Sequence, residues 1–289
     1  MRGLVHKVII YALAALILVW TVVPIYWLLN MTFMHRVEMV TVPTHLYPHM
    51  PTLFNFQRVL GMNALGVSGE IVPPSGHAAT IKRGLANSLI LSCIVTGLTI
   101  AIAMPVAYAL GRLTFKHKNK ILFAILGSRS YPPITVVIPF FMLYQNLGLI
   151  GTHQGLVIIY LSATVPLAAW VMMGFFSSLP RSIEQEARLD GCTRWQAFTR
   201  VLLPMSWPGL AATAIISFLS VWNEFNFAFF LAGGSKATTL PPEIAGMFVL
   251  TQGSANEAAA ATALAVVPPL LLAYLFQGRI KNLNIVNPL

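Results

Sequence analysis

The chain has 289 residues, of which 57% are hydrophobic and only 9% are charged, and its mean hydropathy is +0.75. Soluble domains carry roughly a quarter of their residues as charges, so this composition argues against a soluble enzyme, a disordered regulator and a secreted disulfide scaffold. The formal charge of +10 does not indicate nucleic-acid binding, because the lysines and arginines lie in short clusters between apolar segments. Cys93 and Cys192 lack metal or redox spacing. We therefore expect an integral membrane protein.

Six apolar stretches have the length of a membrane-spanning helix, which needs about 20 mostly apolar residues. The first is too long for a cleavable signal, and no small-residue cleavage site follows it. The sequence thus predicts an all-α integral membrane protein, with residues 1–289 forming a single transmembrane domain. The predicted spans cover residues 8–33, 85–111, 121–146, 155–178, 208–232 and 258–277.

The distribution of basic residues predicts the orientation of these spans. An even number of spans places both termini on one side, and that side receives 12 of the 18 lysines and arginines. The opposite side receives 5, and Arg129 falls inside the third span. Because basic residues are enriched in cytoplasmic loops, both termini are expected to be cytoplasmic in a multi-pass plasma membrane protein.

Two loops differ in a way that bears on function. The extracytoplasmic loop 34–84 contains several prolines, which predicts an extended segment with at most short helices. The cytoplasmic loop 180–204 has strong helix formers and an amphipathic pattern, with Ser182 as a predicted helix cap. We therefore predict a helical hairpin or bent helix on the cytoplasmic face between spans four and five.

Prolines interrupt every predicted span, apart from the second half of the fifth. Each one alone is explained by ordinary helix packing, but together they favour helices that bend around a pathway, since freed carbonyls are tolerated beside neighbouring helices or water. They are Pro24, Pro105, Pro132, Pro133, Pro139, Pro166, Pro268 and Pro269.

Motifs for chemistry are missing from the sequence. It has no phosphate-binding loop, no His-Glu-x-x-His zinc pair and no Gly-x-Ser-x-Gly nucleophile turn. We therefore expect a protein that is not an enzyme and binds no cofactor or metal. Any work that it performs takes its energy from a partner or from an ion gradient.

The most specific motif lies in the cytoplasmic loop and ends with Leu203 and Pro204. It resembles the EAA loop of permease subunits in binding-protein-dependent ABC importers, whose usual form is Glu-Ala-Ala, three residues and a glycine. Counting back from the glycine, the first alanine position holds a glutamate. The resemblance implies a coupling helix that contacts a separate ATPase, with Glu184, Gln185, Glu186, Ala187, Arg188, Asp190 and Gly191 as the contact residues.

That loop can also be interpreted without the family. Ala187 and Gly191, four residues apart, would allow a close approach, and the acids could form ion pairs at the rim. The alternative is an intrahelical salt bridge between Glu184 and Arg188, at the same spacing, on a solvated face.

Further segments are similar to the maltose-type carbohydrate permeases with six spans, and the similarity covers nearly the whole chain. The segments are Pro51–Phe56, Asn87–Leu89, Ala107–Arg112, Arg129–Pro133, Ile138–Pro139, Trp222–Phe225 and Thr239–Pro241. The resemblance implies an importer made of this chain, a second permease subunit that is a paralogue, a dimer of ATP-binding subunits and an extracytoplasmic substrate-binding protein. ATP and Mg would be bound by the ATPase, and no nucleic acid is implied. The expected location is the bilayer of a bacterial or archaeal inner membrane.

Span five carries the predicted substrate pathway. At 100° per residue, Ser217, Ser220, Asn223 and Glu224 fall within an arc of about 120° on one helix. A carboxyl group in a bilayer usually faces a cavity or a partner. Hydrogen bonding of Asn223 and Glu224 across helices is nearly as good an explanation. Arg129 is interpreted as a snorkelling anchor, a partner for an acid, or an inner-gate contact.

The expected function is passage of a sugar, oligosaccharide or polyol into the cell by alternating access. The alternative is an ion-coupled secondary transporter of a small polar solute. Such carriers usually show more intramembrane acids and an internal repeat, which this sequence lacks.

Overall fold

The computed structural model describes residues 2–43, 45–250 and 255–280. Residues 281–289, which belong to the predicted cytoplasmic C-terminus, lie outside this description. The helices in chain order are α1 (Arg2–Phe33), α2 (Arg36–Val40), α3 (Phe54–Val59), α4 (Ala78–Arg112), α5 (Lys118–Gly127), α6 (Pro133–Asn146), α7 (His153–Ser178), α8 (Arg181–Leu189), α9 (Arg194–Ala197), α10 (Leu203–Met205), α11 (Trp207–Trp222), α12 (Asn226–Ala232), α13 (Leu240–Leu250) and α14 (Ala255–Ile280).

Within the described ranges, four helices are long and apolar enough to cross a membrane, in α1, α4, α7 and α14. A fifth candidate is the pair Arg194–Met205 and Trp207–Trp222, which bends by 77° at Ser206. The Ser206 side chain is fully buried, and its hydroxyl donates to the Leu202 carbonyl at 2.7 Å. The protein is therefore a multi-pass, helical membrane protein, with four or five apolar spans among the residues that the structure describes.

The predicted third span, 121–146, contains two helices rather than one. α5 ends at Gly127 and α6 begins at Pro133. The physical reason is the pair Pro132–Pro133, because a residue before proline is pushed out of the helical region, and Pro132 has ψ 135°. The 14 residues of α6 reach roughly 21 Å, less than the roughly 30 Å hydrocarbon core.

Clustering of contacts divides the chain into two compact units, the first formed by residues 1–82 and 243–267. In this unit, two asparagine side chains donate hydrogen bonds to carbonyls at the C-terminal end of α1. Asn55 donates to the carbonyls of Thr32 and Met34, and Asn256 donates to those of Met31 and Met34, all at 2.9–3.0 Å. These bonds satisfy carbonyls that a helix end leaves without partners.

The loop 34–84 belongs to the first unit, apart from its last two residues. It contains the short helices α2 and α3, as predicted, and a two-stranded antiparallel hairpin that was not predicted, β1 (Ala64–Leu65) with β2 (Ile71–Val72). The turn between the strands includes Gly69, whose φ of +80° favours glycine.

The second unit comprises the described residues of 83–242 and 268–280. Its main core joins α4, α6, α7, α11 and α12 through buried apolar side chains such as Leu91, Tyr144, Ile159, Val221 and Leu231. Small residues, Ala103 on α4 with Ala168 and Ala169 on α7, form a separate buried cluster. Small side chains let helix backbones approach closely inside a membrane.

Candidate functional site

The predicted coupling segment begins with α8, whose start differs from the prediction. Pro180 occupies the position before the helix, and no side chain caps this end, so the Ser182 cap is wrong. The cap residue of this segment is Thr193, which begins α9 and forms a reciprocal capping box with Gln196. Two short helices therefore follow each other, as a hairpin-like arrangement requires.

Gly191 ends α8 with a left-handed backbone, at φ +87°. Its N–H donates to the Arg188 carbonyl at 3.2 Å, and the Cys192 N–H donates to the Ala187 carbonyl at 3.0 Å. This pair of bonds defines a Schellman motif, in which glycine is the residue that adopts the left-handed conformation without steric cost. A Cβ atom added at Gly191 would meet no atom within 4 Å apart from its immediate chain neighbours. The glycine is thus required by the backbone, and the space beside it is open.

The inward face of α8 contacts the C-terminal end of α4. The Tyr108 hydroxyl donates to Glu184 Oε1 at 2.7 Å, and Arg112 Nε lies 3.5 Å from Glu184 Oε2. Arg112 also donates to the carbonyls of Leu179 and Pro180 at 2.9 and 3.0 Å. Arg112 therefore connects the ends of α4, α7 and α8.

Apolar packing reinforces these polar contacts. A π-helical segment, Phe198–Leu202, follows α9 and buries Phe198 and Leu202 against α4 and α7. The Phe198 ring lies 4.8 Å from the Tyr108 ring and 6.0 Å from the Phe176 ring. Close-packed interiors transmit displacement because they have few voids. A force on this segment is therefore expected to reach both spans.

The outward face of α8 and α9 presents two large apolar side chains. Leu189 is 86% exposed and Trp195 is 62% exposed. Glu186 and Asp190 flank them and are exposed, whereas Ala187 is only 8% exposed and faces inward. Gln185, Arg188 and Gly191 are also exposed. We name Leu189 and Trp195, together with these exposed polar residues, the outward face.

A basic groove of about 360 Å³ lies beside the outward face. Its polar lining includes four arginines and two other side chains that belong to the predicted coupling set. They are Arg112, Arg181, Arg188, Arg194, Glu184 and Gln185. The groove therefore suits an acidic segment of a partner, because clustered guanidinium groups attract carboxylates.

The predicted pathway stripe does not lie on one continuous helix, because Ser217 and Ser220 are on α11 whereas Asn223 and Glu224 follow its end. α11 ends at Trp222, and α12 begins at Asn226. Ser217 is 2% exposed, while Ser220 and Asn223 are exposed. The Ser220 hydroxyl donates to the Ile216 carbonyl at 2.7 Å. Ser217 is therefore buried within this chain, whereas Ser220 and Asn223 lie on its surface.

Glu224 lies in the break between α11 and α12. Its carboxylate accepts from the N–H groups of Phe227 and Ala228 at 2.8 and 3.1 Å, so it caps the start of α12. A carboxylate at a helix start satisfies N–H groups that otherwise lack partners. This capping role accounts for an acid at this position, and the periodicity of a continuous helix did not reveal it.

Arg129 lies in the break between α5 and α6, where its guanidinium donates to the Ala163 carbonyl of α7 at 2.8 Å. Its partner is therefore a backbone carbonyl rather than an acid. Ala163 precedes Pro166, which interrupts the hydrogen bonding of α7. Arg129 therefore links the break in the predicted third span to α7 by a hydrogen bond.

Residues 103–282 match the family described as the binding-protein-dependent transport system inner membrane component. The chain belongs to this family. It is 31% identical over 288 residues to the trehalose/maltose transport system permease protein of Thermococcus litoralis, an alignment that covers 98% of this chain and 96% of the relative. The family and this relative confirm the resemblance that the coupling loop predicted.

Two further likenesses extend over most of this inner membrane component. It is 29% identical over 272 residues to the sulfoquinovosyl glycerol transport system permease protein of Agrobacterium fabrum, with 93% of this chain and 89% of the relative covered. A crystal structure of a bacterial ABC transporter involved in alginate import matches with a TM-score of 0.76 at 18% identity, covering 95% of this chain and 96% of that one. The last comparison establishes the fold.

Several residues that carried the family resemblance prove to have structural roles in this inner membrane component. The Asn87 amide donates to the carbonyls of Lys236 and Thr238, both at 2.9 Å. The Ser88 hydroxyl accepts from the Leu240 N–H at 2.8 Å. These bonds fasten the loop before α13 to α4. The sequence analysis quoted both motifs but missed their pairing, and the only available signal was their joint occurrence in one family.

Substituting Glu184 should test the connection between α8 and α4. Glu184→Ala removes the acceptor of Tyr108 and the charge beside Arg112, so we expect a loss of about 1–3 kcal/mol in stability and a lower uptake rate. Glu184→Gln keeps an oxygen for Tyr108 and should be milder. Thermal unfolding in detergent and uptake by cells measure the two effects. Equal stability and uptake in Glu184→Ala and the wild type would contradict the connection.

Substituting Glu224 should separate its cap from any contact with substrate. Glu224→Ala removes both acceptors at the start of α12 and should destabilise the protein by about 1 kcal/mol. Glu224→Gln retains one acceptor oxygen and changes the charge. Unfolding temperature and uptake are measured for both variants. If Glu224 lines the pathway, Glu224→Gln lowers uptake by more than its unfolding temperature explains, whereas a pure cap lowers the two together.

Proposed function

We propose that this chain is one of two permease subunits of an ATP-driven importer, and that the two subunits form the pathway for a sugar, oligosaccharide or polyol. The observation that carries the substrate class is the similarity, over nearly the full length, to permeases named for trehalose/maltose and sulfoquinovosyl glycerol transport. The family name supplies the dependence on a binding protein. A substrate-binding protein outside the membrane therefore delivers the sugar.

In the proposed arrangement the chain crosses the membrane six times with both termini in the cytoplasm. α5 and α6 together serve as the third span, and α11 with α12 serves as the fifth. Broken helices at membrane depth are tolerated where protein or water satisfies the backbone. The contacts of Arg129 with α7 and of Glu224 with α12 support this arrangement, because each polar group meets a backbone partner at a break.

The outward face of α8 and α9 is the proposed docking surface for the ATPase. Leu189 and Trp195 enter an apolar site of that partner, while Glu186 and Asp190 form ion pairs at its rim. The partner ATPase, present as a dimer, binds ATP and Mg, and this chain binds no cofactor. Of the acids in the loop, Glu184 acts inside the chain, since Tyr108 and Arg112 engage it.

Coupling requires two states with different contacts. ATP binding closes the ATPase dimer and moves α8. The Arg112 contacts and the packed Phe198 and Leu202 carry this movement to α4 and α7, which opens the pathway outward. Hydrolysis reverses the movement. The role of the loop is mechanical rather than catalytic.

The substrate pathway is proposed to run along the exposed side of α11 at Ser220 and Asn223. Polar groups at membrane depth are costly against lipid, so exposed ones face a second subunit or water. Ser217 is buried within this chain, and its proposed role is to support the helix. Hydroxyl and amide groups at the other two positions would hydrogen-bond sugar hydroxyls.

The ion-coupled carrier is the weaker alternative. It requires neither a binding protein nor an ATPase, whereas the family is defined by dependence on a binding protein. Glu224, the acid that would serve such a carrier, is engaged by two backbone N–H groups.

Uptake measurements test the proposed substrate class. Cells that lack this chain should lose uptake of one radiolabelled sugar or polyol from a panel, and the restored chain should recover it. Depleting ATP while holding the membrane potential should stop the recovered uptake. Uptake that persists without ATP and follows the ion gradient would contradict the proposal and favour the ion-coupled secondary carrier.

A further inference from the structure

Three potential metal ligands meet in the segment that follows α1. Glu38 lies on α2, and His45 and His49 lie in the loop after it. The ligand atoms of the three side chains are all within 4.8 Å of one another. The two imidazole Nδ1 atoms are 2.7 Å apart, and His45 Nδ1 is 4.0 Å from Glu38 Oε2. Imidazole nitrogen and carboxylate oxygen are the donor set that Zn²⁺ accepts.

Glu38 is unusual for an acid in a loop because it is only 8% exposed. Its Oε2 accepts from the His49 N–H at 2.9 Å, but its Oε1 is buried without a hydrogen-bond partner. A buried carboxylate oxygen without a partner is costly. The second carboxylate oxygen of Glu38 is therefore available to bind a cation.

Hydrogen bonds from α1 help to hold the loop in place. The Leu46 carbonyl accepts from the Tyr26 hydroxyl at 3.1 Å and from the Asn30 amide at 2.9 Å, and both donors lie on α1. The Tyr47 ring packs edge-on against the His49 ring, with centroids 4.8 Å apart. The ligands are thus largely preorganised, which lowers the cost of binding.

We propose that Glu38, His45 and His49 bind one divalent transition-metal ion, with Zn²⁺ as the best match to the three donors. A tetrahedral ion with Zn–N bonds of about 2.0–2.1 Å separates two nitrogens by about 3.3 Å, so the two Nδ1 atoms, now 2.7 Å apart, must separate by about 0.6 Å. The proton between the two Nδ1 atoms moves to Nε2, which frees both lone pairs. Three protein ligands leave a fourth position for water.

Zinc binding to the purified full-length chain tests the site. The chain carries a tag without histidines, Cys93 and Cys192 are replaced by serine to remove thiol ligands, and chelator removes bound metal first. Calorimetry with Zn²⁺ should give one ion per chain. Co²⁺ should produce the visible absorption of a four-coordinate site. His45→Ala and His49→Ala should each weaken Zn²⁺ binding by at least about 10-fold.

A matched control and a second readout keep the test decisive. His77→Ala alters a histidine of the same loop that lies outside the cluster, and its Zn²⁺ affinity should equal that of the wild type. Zn²⁺ should raise the unfolding temperature of the wild type and of His77→Ala but not of the double variant His45→Ala/His49→Ala, since a ligand stabilises only the form that binds it. Unchanged affinity in that double variant, or no saturable binding in the wild type, would overturn the proposal. Neither result bears on sugar transport.

Discussion

Gly191→Trp is expected to abolish ATP-dependent uptake while the protein still inserts in the membrane. Two effects combine. The left-handed backbone at φ +87° costs a residue other than glycine about 1–2 kcal/mol. The open space beside Gly191 would also receive an indole where the ATPase is proposed to dock. We expect uptake to fall by at least about 30-fold, equivalent to the roughly 2 kcal/mol of a central interface residue.

Two smaller substitutions separate the backbone effect from the steric one. Gly191→Asn should retain most uptake, because asparagine tolerates the left-handed conformation better than most residues. Gly191→Ala should be intermediate, since it strains the backbone without adding bulk. Membrane insertion is checked by quantitative immunoblotting of membrane fractions. Normal uptake by Gly191→Trp would refute the assignment of this loop as the coupling segment.

Leu189→Asp is expected to release the ATPase from the complex. Leu189 is 86% exposed, so its replacement should leave the stability of this chain almost unchanged. An aspartate in an apolar partner site would lose the buried contact and require desolvation of a charge, and we expect binding of the ATPase to weaken by at least about 30-fold. Co-purification from native membranes in mild detergent, with mass spectrometry of the recovered proteins, measures this effect.

Leu189→Met is the matched control, because it keeps an apolar side chain of similar volume and should retain the partner. Leu65, which is 66% exposed in the loop hairpin, offers a second control on the side predicted to be extracytoplasmic. Leu65→Asp should not affect recovery of the ATPase. If Leu189→Asp retained the ATPase as fully as these controls, the outward face would not be its docking surface.

The short helices of the predicted coupling segment could be anticipated from the sequence because their signals are local. A glycine that ends a helix and the Leu203–Pro204 closure are both visible in the sequence. The direction of Glu184 could not be predicted in this way. Its spacing to Arg188 allowed an intrahelical pair, but the folded chain places Tyr108 and Arg112 against it, and those residues are about 70 positions distant in sequence.

The pathway residues show a second limit of periodicity. The predicted stripe assumed one continuous helix, whereas α11 ends at Trp222. An acid two residues before a helix that starts at Asn226 is a capping signal, but an apolar stretch on both sides concealed it. The break in the predicted third span could have been predicted more easily, because its adjacent prolines disfavour a continuous helix.

Helix α13 lies between the predicted fifth and sixth spans, where the sequence analysis predicted no helix. Leu240, Pro241 and Pro242 begin it, and proline is favourable in the first turn of a helix because its missing N–H needs no partner there. The sequence analysis used these prolines only as part of a family motif. Their position at the start of an apolar run would have predicted the helix.

Photo-crosslinking from position 189 tests the central claim most directly. A benzophenone amino acid replaces Leu189 in the native membrane, and irradiation is followed by mass spectrometry of the crosslinked partner. The same residue at position 65 serves as the control. We predict that position 189 captures a P-loop ATPase and that position 65 does not. Irradiation that captures no ATPase from position 189, in a variant that still supports uptake, would contradict the coupling role assigned to α8.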